Sequence, residues 1–179
     1  MASSSRQLRE PMRIKILSMG SGGVGKSCLI KRYCEGRFVG KYISTIGVDY
    51  GVKTVPYDNY DLKVNFWDLS GHPEFFDVRN EFYRDTQGAM LVFDVSSRSS
   101  FADLEAWIRE AEQYGAGDAQ IIVVGNKVDL DRTVSAKEGK AWARAHGYEY
   151  FEASAKSGEG VDDIFEHLFE SIASANQLT

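Results

Sequence analysis

The chain has 179 residues with 43% hydrophobic content, enough for one domain with a sizeable core and giving no reason to divide it in two. A formal net charge of -5 argues against a general nucleic-acid surface, which needs a clustered basic excess. The longest apolar runs, 89–93 and 121–124, are far too short to span a bilayer, and the two cysteines, Cys28 and Cys34, have neither a metal spacing nor a useful disulfide loop, which suits a reducing, cytosolic setting.

The first residues, Met-Ala-Ser-Ser-Ser, hold no apolar signal core and no glycine at position 2, so neither secretion nor myristoylation is expected. Arg6, Arg9, Arg13 and Lys15 could attract an acidic membrane, but a solvated arm is the better reading. An apolar run over 12–19 then breaks into Gly20-Ser21-Gly22-Gly23-Val24-Gly25-Lys26-Ser27 before a helical pattern begins. That octet fits G-x-x-x-x-G-K-S between a strand and a helix. Glycines let the backbone curl so that successive N–H groups face an anion, Lys26 can reach β- and γ-phosphates, and the Ser27 hydroxyl suits Mg²⁺.

Residues 35–46 read as a mobile loop. Strands are expected over 48–56 and 62–69, the second alternating Leu62, Val64 and Phe66 with Lys63 and Asn65, and the short turn Tyr57-Asp58-Asn59-Tyr60 makes the pair an antiparallel hairpin. An irregular segment from Ser70 passes into 75–84. Runs 89–95 and 120–125 are continuously apolar, as for strands buried on both faces. Between them Phe101, Leu104, Trp107, Ile108 and Ala111 recur at helical spacing, and Ser135-Ala136-Lys137-Glu138 is a capping box. A last strand over 148–152 precedes a helix whose stripe is Val161, Ile164, Phe165, Leu168, Phe169 and Ile172. The alternation predicts an α/β fold with a mostly parallel sheet and helices on both faces.

Three further signals each follow a predicted strand, where such sheets bind ligands. Asp68 with Gly71 gives D-x-x-G, in which the carboxylate orients Mg²⁺ through water and the glycine N–H approaches a γ-phosphate. Asn126-Lys127-Val128-Asp129 offers a carboxylate that accepts from N1–H and the 2-amino group of guanine, whereas adenine presents an acceptor there. Leaving such a polar group unpaired supports discrimination on the order of 10⁴-fold. Ser154-Ala155-Lys156 can turn backbone N–H groups to the guanine carbonyl.

With these motifs in place, residues 12–175 resemble small GTPases of the Ras superfamily, Rab type. The phosphate octet, Ser44-Thr45-Ile46-Gly47-Val48-Asp49-Tyr50 beside the Rab sequence STIGVDF, Phe66-Trp67-Asp68, Tyr83-Arg84-Asp85, Asn126 to Asp129 and Ser154 to Lys156 carry the likeness. It implies a P-loop NTPase G domain with six strands, an arm over 1–11 and a tail over 176–179. It further implies GTP/GDP as ligand with Mg²⁺, metal ligands Ser27, Thr45 and Asp68, Tyr42 over the nucleotide and Phe38 edge-on to guanine, with Cys28 and Leu130 also in contact. Effectors and regulators would read residues 35–50 and 70–84 of a monomer in the cytoplasm, or at membranes or in the nucleus through partners. No cysteine lies in 176–179, so no lipid anchor is expected.

The family usually reads WDTAGQE where this chain has Trp67-Asp68-Leu69-Ser70-Gly71-His72-Pro73-Glu74. His72 replaces the glutamine that orients the attacking water, and Pro73 biases His72 away from helical geometry, which together predict slow hydrolysis and a long-lived GTP state. The alternatives are that His72 is merely tolerated or that it acts as a base. Catalysis would otherwise rest on Lys26, Thr45 and Gly71. A scaffold that holds GTP with negligible turnover competes with the switch, and an ATP-using phosphoryl transferase is disfavoured by the guanine motif. His72-Pro73 and 79–83 most resemble Rab-like GTPases that carry a DnaJ-type domain (RJL), although no such domain lies within these residues.

Overall fold

Side chains that alternate between two apolar layers dictate the architecture. In the computed structural model, which describes residues 10–176, β1 (Glu10–Met19), α1 (Lys26–Glu35), β2 (Val48–Tyr57), β3 (Tyr60–Leu69), α2 (Phe76–Arg79) and β4 (Gly88–Asp94) form the first half. The rest comprises α3 (Arg98–Ala102), α4 (Leu104–Gln113), β5 (Gln120–Asn126), α5 (Ala136–Ala145), β6 (Glu149–Glu152) and α6 (Val161–Ala175). The six strands lie in the order β2-β3-β1-β4-β5-β6, all parallel except the β2–β3 hairpin at one edge. The expected P-loop NTPase fold is thus the observed one.

Strand β4 is buried at every position, so its side chains sort by pleat alone. Met90 and Val92 join Ile14, Ile16, Val64 and Phe66 under α1 and the α6 stripe. Ala89, Leu91 and Phe93 face the other way, onto Leu104, Trp107 and Ile108 of α4 and Ala143 of α5. Each fully buried side chain of this size contributes about 1.5–3 kcal/mol. Tyr33 of α1 stacks on Phe165 of α6 at 4.2 Å, and Phe165 meets Phe66 of β3 edge to face at 5.7 Å, which locks the helix after the glycine octet to the sheet.

Several boundaries differ from expectation. Strand β1 begins at Glu10 because Glu10 and Pro11 pair with Tyr60 and Asp61, the foot of a hairpin longer than its apolar alternation; residues 1–9 of the expected arm lie outside the described residues. The stripe from Phe101 to Ala111 is divided at Asp103, whose carboxylate accepts from Ser21 at 2.8 Å. Segment 70–84 contains only single helical turns. The capping box forms as written, Ser135 Oγ accepting from Glu138 N–H at 3.2 Å and Glu138 from Ser135 N–H at 2.9 Å. Among the described residues no helix is long and apolar enough to cross a membrane.

A buried polar node secures the segment after β3. Arg79 forks onto Glu110 of α4 at 2.6 and 2.8 Å, lies over the Trp107 ring at 4.5 Å and donates to the His72 carbonyl at 2.9 Å. Tyr83 O–H donates to the same carboxylate at 2.8 Å, and burial, then the Glu110 charge, push the phenol's pKa far up. Side-chain exposure is 7% for Arg79 and 13% for Glu110, so removing one partner strands a charge with little water. Glu110→Ala should therefore cost about 3–5 kcal/mol in urea unfolding, and the paired change Arg79→Met with Glu110→Leu should recover most of it. Additive losses in the pair would refute the coupling.

Candidate functional site

The loops after β1, β3 and β5 meet at the carboxyl edge of the sheet. At Gly25 the backbone has φ of 100°, and a Cβ there would run into the Asn126 amide, so glycine is required both by conformation and by space. Asn126 donates to the Val24 carbonyl at 2.9 Å. Lys127, itself at φ 65°, donates to the Gly23 carbonyl at 2.7 Å and pairs with Asp94 at 3.0 Å. The loop after β5 is thereby bolted to the one after β1. Further round, Ser154 Oγ donates to Asp129 Oδ1 at 2.7 Å, Ala155 N–H donates to Asn126 Oδ1 at 3.3 Å, and Arg32 of α1 donates to the Ala155 carbonyl at 2.8 Å and to that of Lys156.

Lys26 is the first residue of α1 and is buried, its ammonium donating to the carbonyls of Gly20 at 2.7 Å and Ser21 at 3.0 Å. Burial lowers its pKa to about 8 against the attraction of Asp68, with Arg79 adding to the fall. A buried cation held only by neutral carbonyls is a ready partner for an anion at the positive end of a helix.

Beside it, oxygen atoms converge. Ser27 Oγ contacts Asp68 Oδ2 closely, Thr45 Oγ1 stands 3.1 Å from Ser27 Oγ and 3.4 Å from the same carboxylate oxygen, and Ser18 donates to Asp68 Oδ1 at 2.6 Å. Two hydroxyls and a carboxylate are hard donors that suit Mg²⁺, which takes few protein ligands and completes its shell with phosphate and water. The residues fit that ion. Among the described residues no group of three or more His, Cys, Asp and Glu forms a metal cluster instead.

Two segments cover the cleft. His72 lies over Gly22, where an added Cβ would come within 2.9 Å of its ring, and its Nε2 is 3.2 Å from the Tyr42 hydroxyl. His72 has φ −82° and ψ 136°, the extended geometry that Pro73 imposes. Gly71 is so close to the backbone of Ser21 and Gly22 that any Cβ would collide with it.

The cleft, about 390 Å³, is lined by Gly22, Gly23, Gly25, Lys26, Ser27, Cys28, Phe38, Tyr42, Thr45, Gly71, His72, Asn126, Lys127, Asp129, Leu130, Ala155 and Lys156. Ser21, Val24, Asp68 and Ser154 stand behind that lining: Val24 and Ser154 are buried and act through their hydrogen bonds to Asn126 and Asp129. The sequence reading gave no site role to Lys31, Lys41 and Ile43, which also line it, or to Asp94, Asp103 and Ser18, which brace it. Asp94 ends the apolar strand β4, a local signal that pointed to it.

A family model described as "Ras family" matches residues 15–174. The chain belongs to the Ras family. It is 48% identical to DnaJ homolog subfamily C member 27 of Danio rerio over 174 residues, covering 93% of this chain and 64% of that protein. The protein of the same name in Homo sapiens is 50% identical over 168 residues, covering 90% of this chain and 62% of its own length. The chain therefore spans under two thirds of these relatives, and the resemblance to Rab-like GTPases with a DnaJ-type domain holds. Family and relatives together support a GTP-binding switch.

The state of Lys26 gives a pH test. Without an anion its folded pKa of about 8 lies below the ordinary 10.5, so the unfolded chain binds more protons between those values, and stability of the nucleotide-free protein from this group rises as pH climbs from about 8 towards 10.5. A bound polyphosphate restores the charge. GDP binding near pH 8 should thus take up a fraction of a proton, seen as a buffer-dependent heat in calorimetry, and Lys26→Met should abolish that uptake.

Proposed function

We propose that this Ras-family chain binds GTP and GDP with Mg²⁺, hydrolyses GTP slowly, and signals through residues 35–50 and 70–84. The observation that carries the reading is the meeting, in one cleft, of the Lys26 ammonium, the Ser27, Thr45 and Asp68 oxygens and the Asn126–Asp129 motif. Lys26 and the amides of 22–27 would hold the phosphates. Asp129, fixed by Ser154, would accept from the guanine base, with Phe38 and Leu130 flanking it. The bound Mg²⁺ would neutralise charge on phosphate oxygens. Thr45 would sense the γ-phosphate from one lid and Gly71 from the other, so that its loss frees both. Ile43, Ile46, Tyr50 and Val78 are exposed on those segments and offer an apolar surface for a partner to read.

Slow hydrolysis follows from positioning. Phosphoryl transfer depends on holding the attacking water in line, and the His72 ring is occupied by Tyr42 while its backbone is held by Arg79. The same contacts favour a second reading, a module that retains GTP and acts as a scaffold. Single-turnover hydrolysis should be about 10- to 100-fold faster in His72→Gln than in the wild type, on the scale of rate lost to a misplaced group. Equal, rapid rates overturn the slow-hydrolysis reading. The nucleotide carried through purification separates the two readings, GTP marking the scaffold and GDP the turning-over switch, while an adenine nucleotide would sink both.

A further inference from the structure

Ser18 sits where an apolar residue would pack well. It is fully buried near the end of β1, on the face that carries Ile14 and Ile16, and a hydroxyl in such a layer costs free energy unless it is bonded. Its partner is the carboxylate of Asp68: the parallel register of β1 and β3 pairs Ser18 with Asp68, so both side chains leave the sheet on one face, and Ser18 O–H donates to Oδ1 at 2.6 Å. The other oxygen, Oδ2, is the one that meets Ser27 and Thr45. The two oxygens of one carboxylate therefore have separate duties.

We propose that Ser18 is a positioning residue for the cation site: by holding Oδ1 inside the sheet it fixes the carboxylate plane and keeps Oδ2 turned to the Ser27 and Thr45 hydroxyls. This rests on the reading that Asp68, Ser27 and Thr45 serve Mg²⁺. Partners of this kind behind metal-binding groups change metal affinity about 10- to 100-fold when removed. The bland account is that Ser18 merely satisfies itself on a convenient carboxylate, and the two differ in what Mg²⁺ does.

The experiment follows release of a fluorescent GDP analogue from the intact chain in excess unlabelled GDP, with millimolar Mg²⁺ and again with EDTA. In the wild type EDTA should speed release. Ser18→Ala should release the analogue about tenfold faster in Mg²⁺, need more Mg²⁺ to slow it, and match the wild type in EDTA. Ser18→Val, which fills the space without a donor, should do the same and guards against a packing defect of the alanine variant. Equal acceleration with and without Mg²⁺, or no acceleration in either variant, overturns the role given to Ser18 and leaves the cation reading intact. Wild-type release that ignores EDTA overturns the cation reading and the Ser18 role with it.

Discussion

The site depends on two hydrogen bonds that cross from the loop after β5 to the loop after β1: Asn126 to the Val24 carbonyl and Lys127 to that of Gly23. Both acceptors are main-chain oxygens in a glycine-rich turn that Lys26 and Ser21 also help to hold, and glycine is the residue with the most conformational freedom to lose. These side-chain donors satisfy the two carbonyls and set the spacing between the Lys26 end and the Asp129 end. The Asp94 carboxylate holds Lys127 to this task at 3.0 Å. The Asp129 end and the Lys26 end are thereby joined as one frame on the parallel strands β5 and β1, with β4 between them.

The two covering segments hang from this frame with unequal anchorage. Residues 36–47 carry Tyr42, Ile43 and Ile46 largely exposed; Thr45 reaches Ser27 of α1, while Tyr42 reaches His72 of the other covering segment. The segment after β3 is tied down by the Arg79 fork, by Tyr83 and by the backbone bond from Ser70 N–H to the Gly47 carbonyl at 2.9 Å. Low local contact and solvent-exposed apolar side chains mark the first as the more easily released. In the proposed switch, loss of the γ-phosphate would then release 36–47 further than the segment carrying His72, which Arg79 and Tyr83 still hold.

Most of the fold was legible because strand and helix periods are local: the six strands, the hairpin, the capping box and the α6 stripe all stand where the pattern put them. The loops that gather at the cleft were legible for the same reason, since each motif directly follows a strand. What stayed hidden depends on register and on long-range pairing. Nothing near Arg79 announces that Glu110, two helices further on, will be its partner, and nothing in Ile16-Leu17-Ser18-Met19 shows that the serine lies opposite Asp68 until β1 and β3 are aligned. Ser21, Val24 and Ser154 occupy the right loops but turn their side chains to Asp103, the core and Asp129, a choice that spacing alone does not reveal.

His72 shows how a local rule and a distant contact combine. Proline at 73 excludes helical geometry at the residue before it, and the observed ψ of 136° obeys. That extended backbone carries the carbonyl of His72 to Arg79 and its ring over Gly22 to Tyr42. A longer, flexible amide at the same place could swing to find a water, whereas a planar ring wedged between the glycine turn and a phenol has one orientation to offer. The proline, the histidine and the buried arginine therefore act in the same direction: they fix the ring against Tyr42, and a fixed group assists in-line attack only in the orientation the water needs.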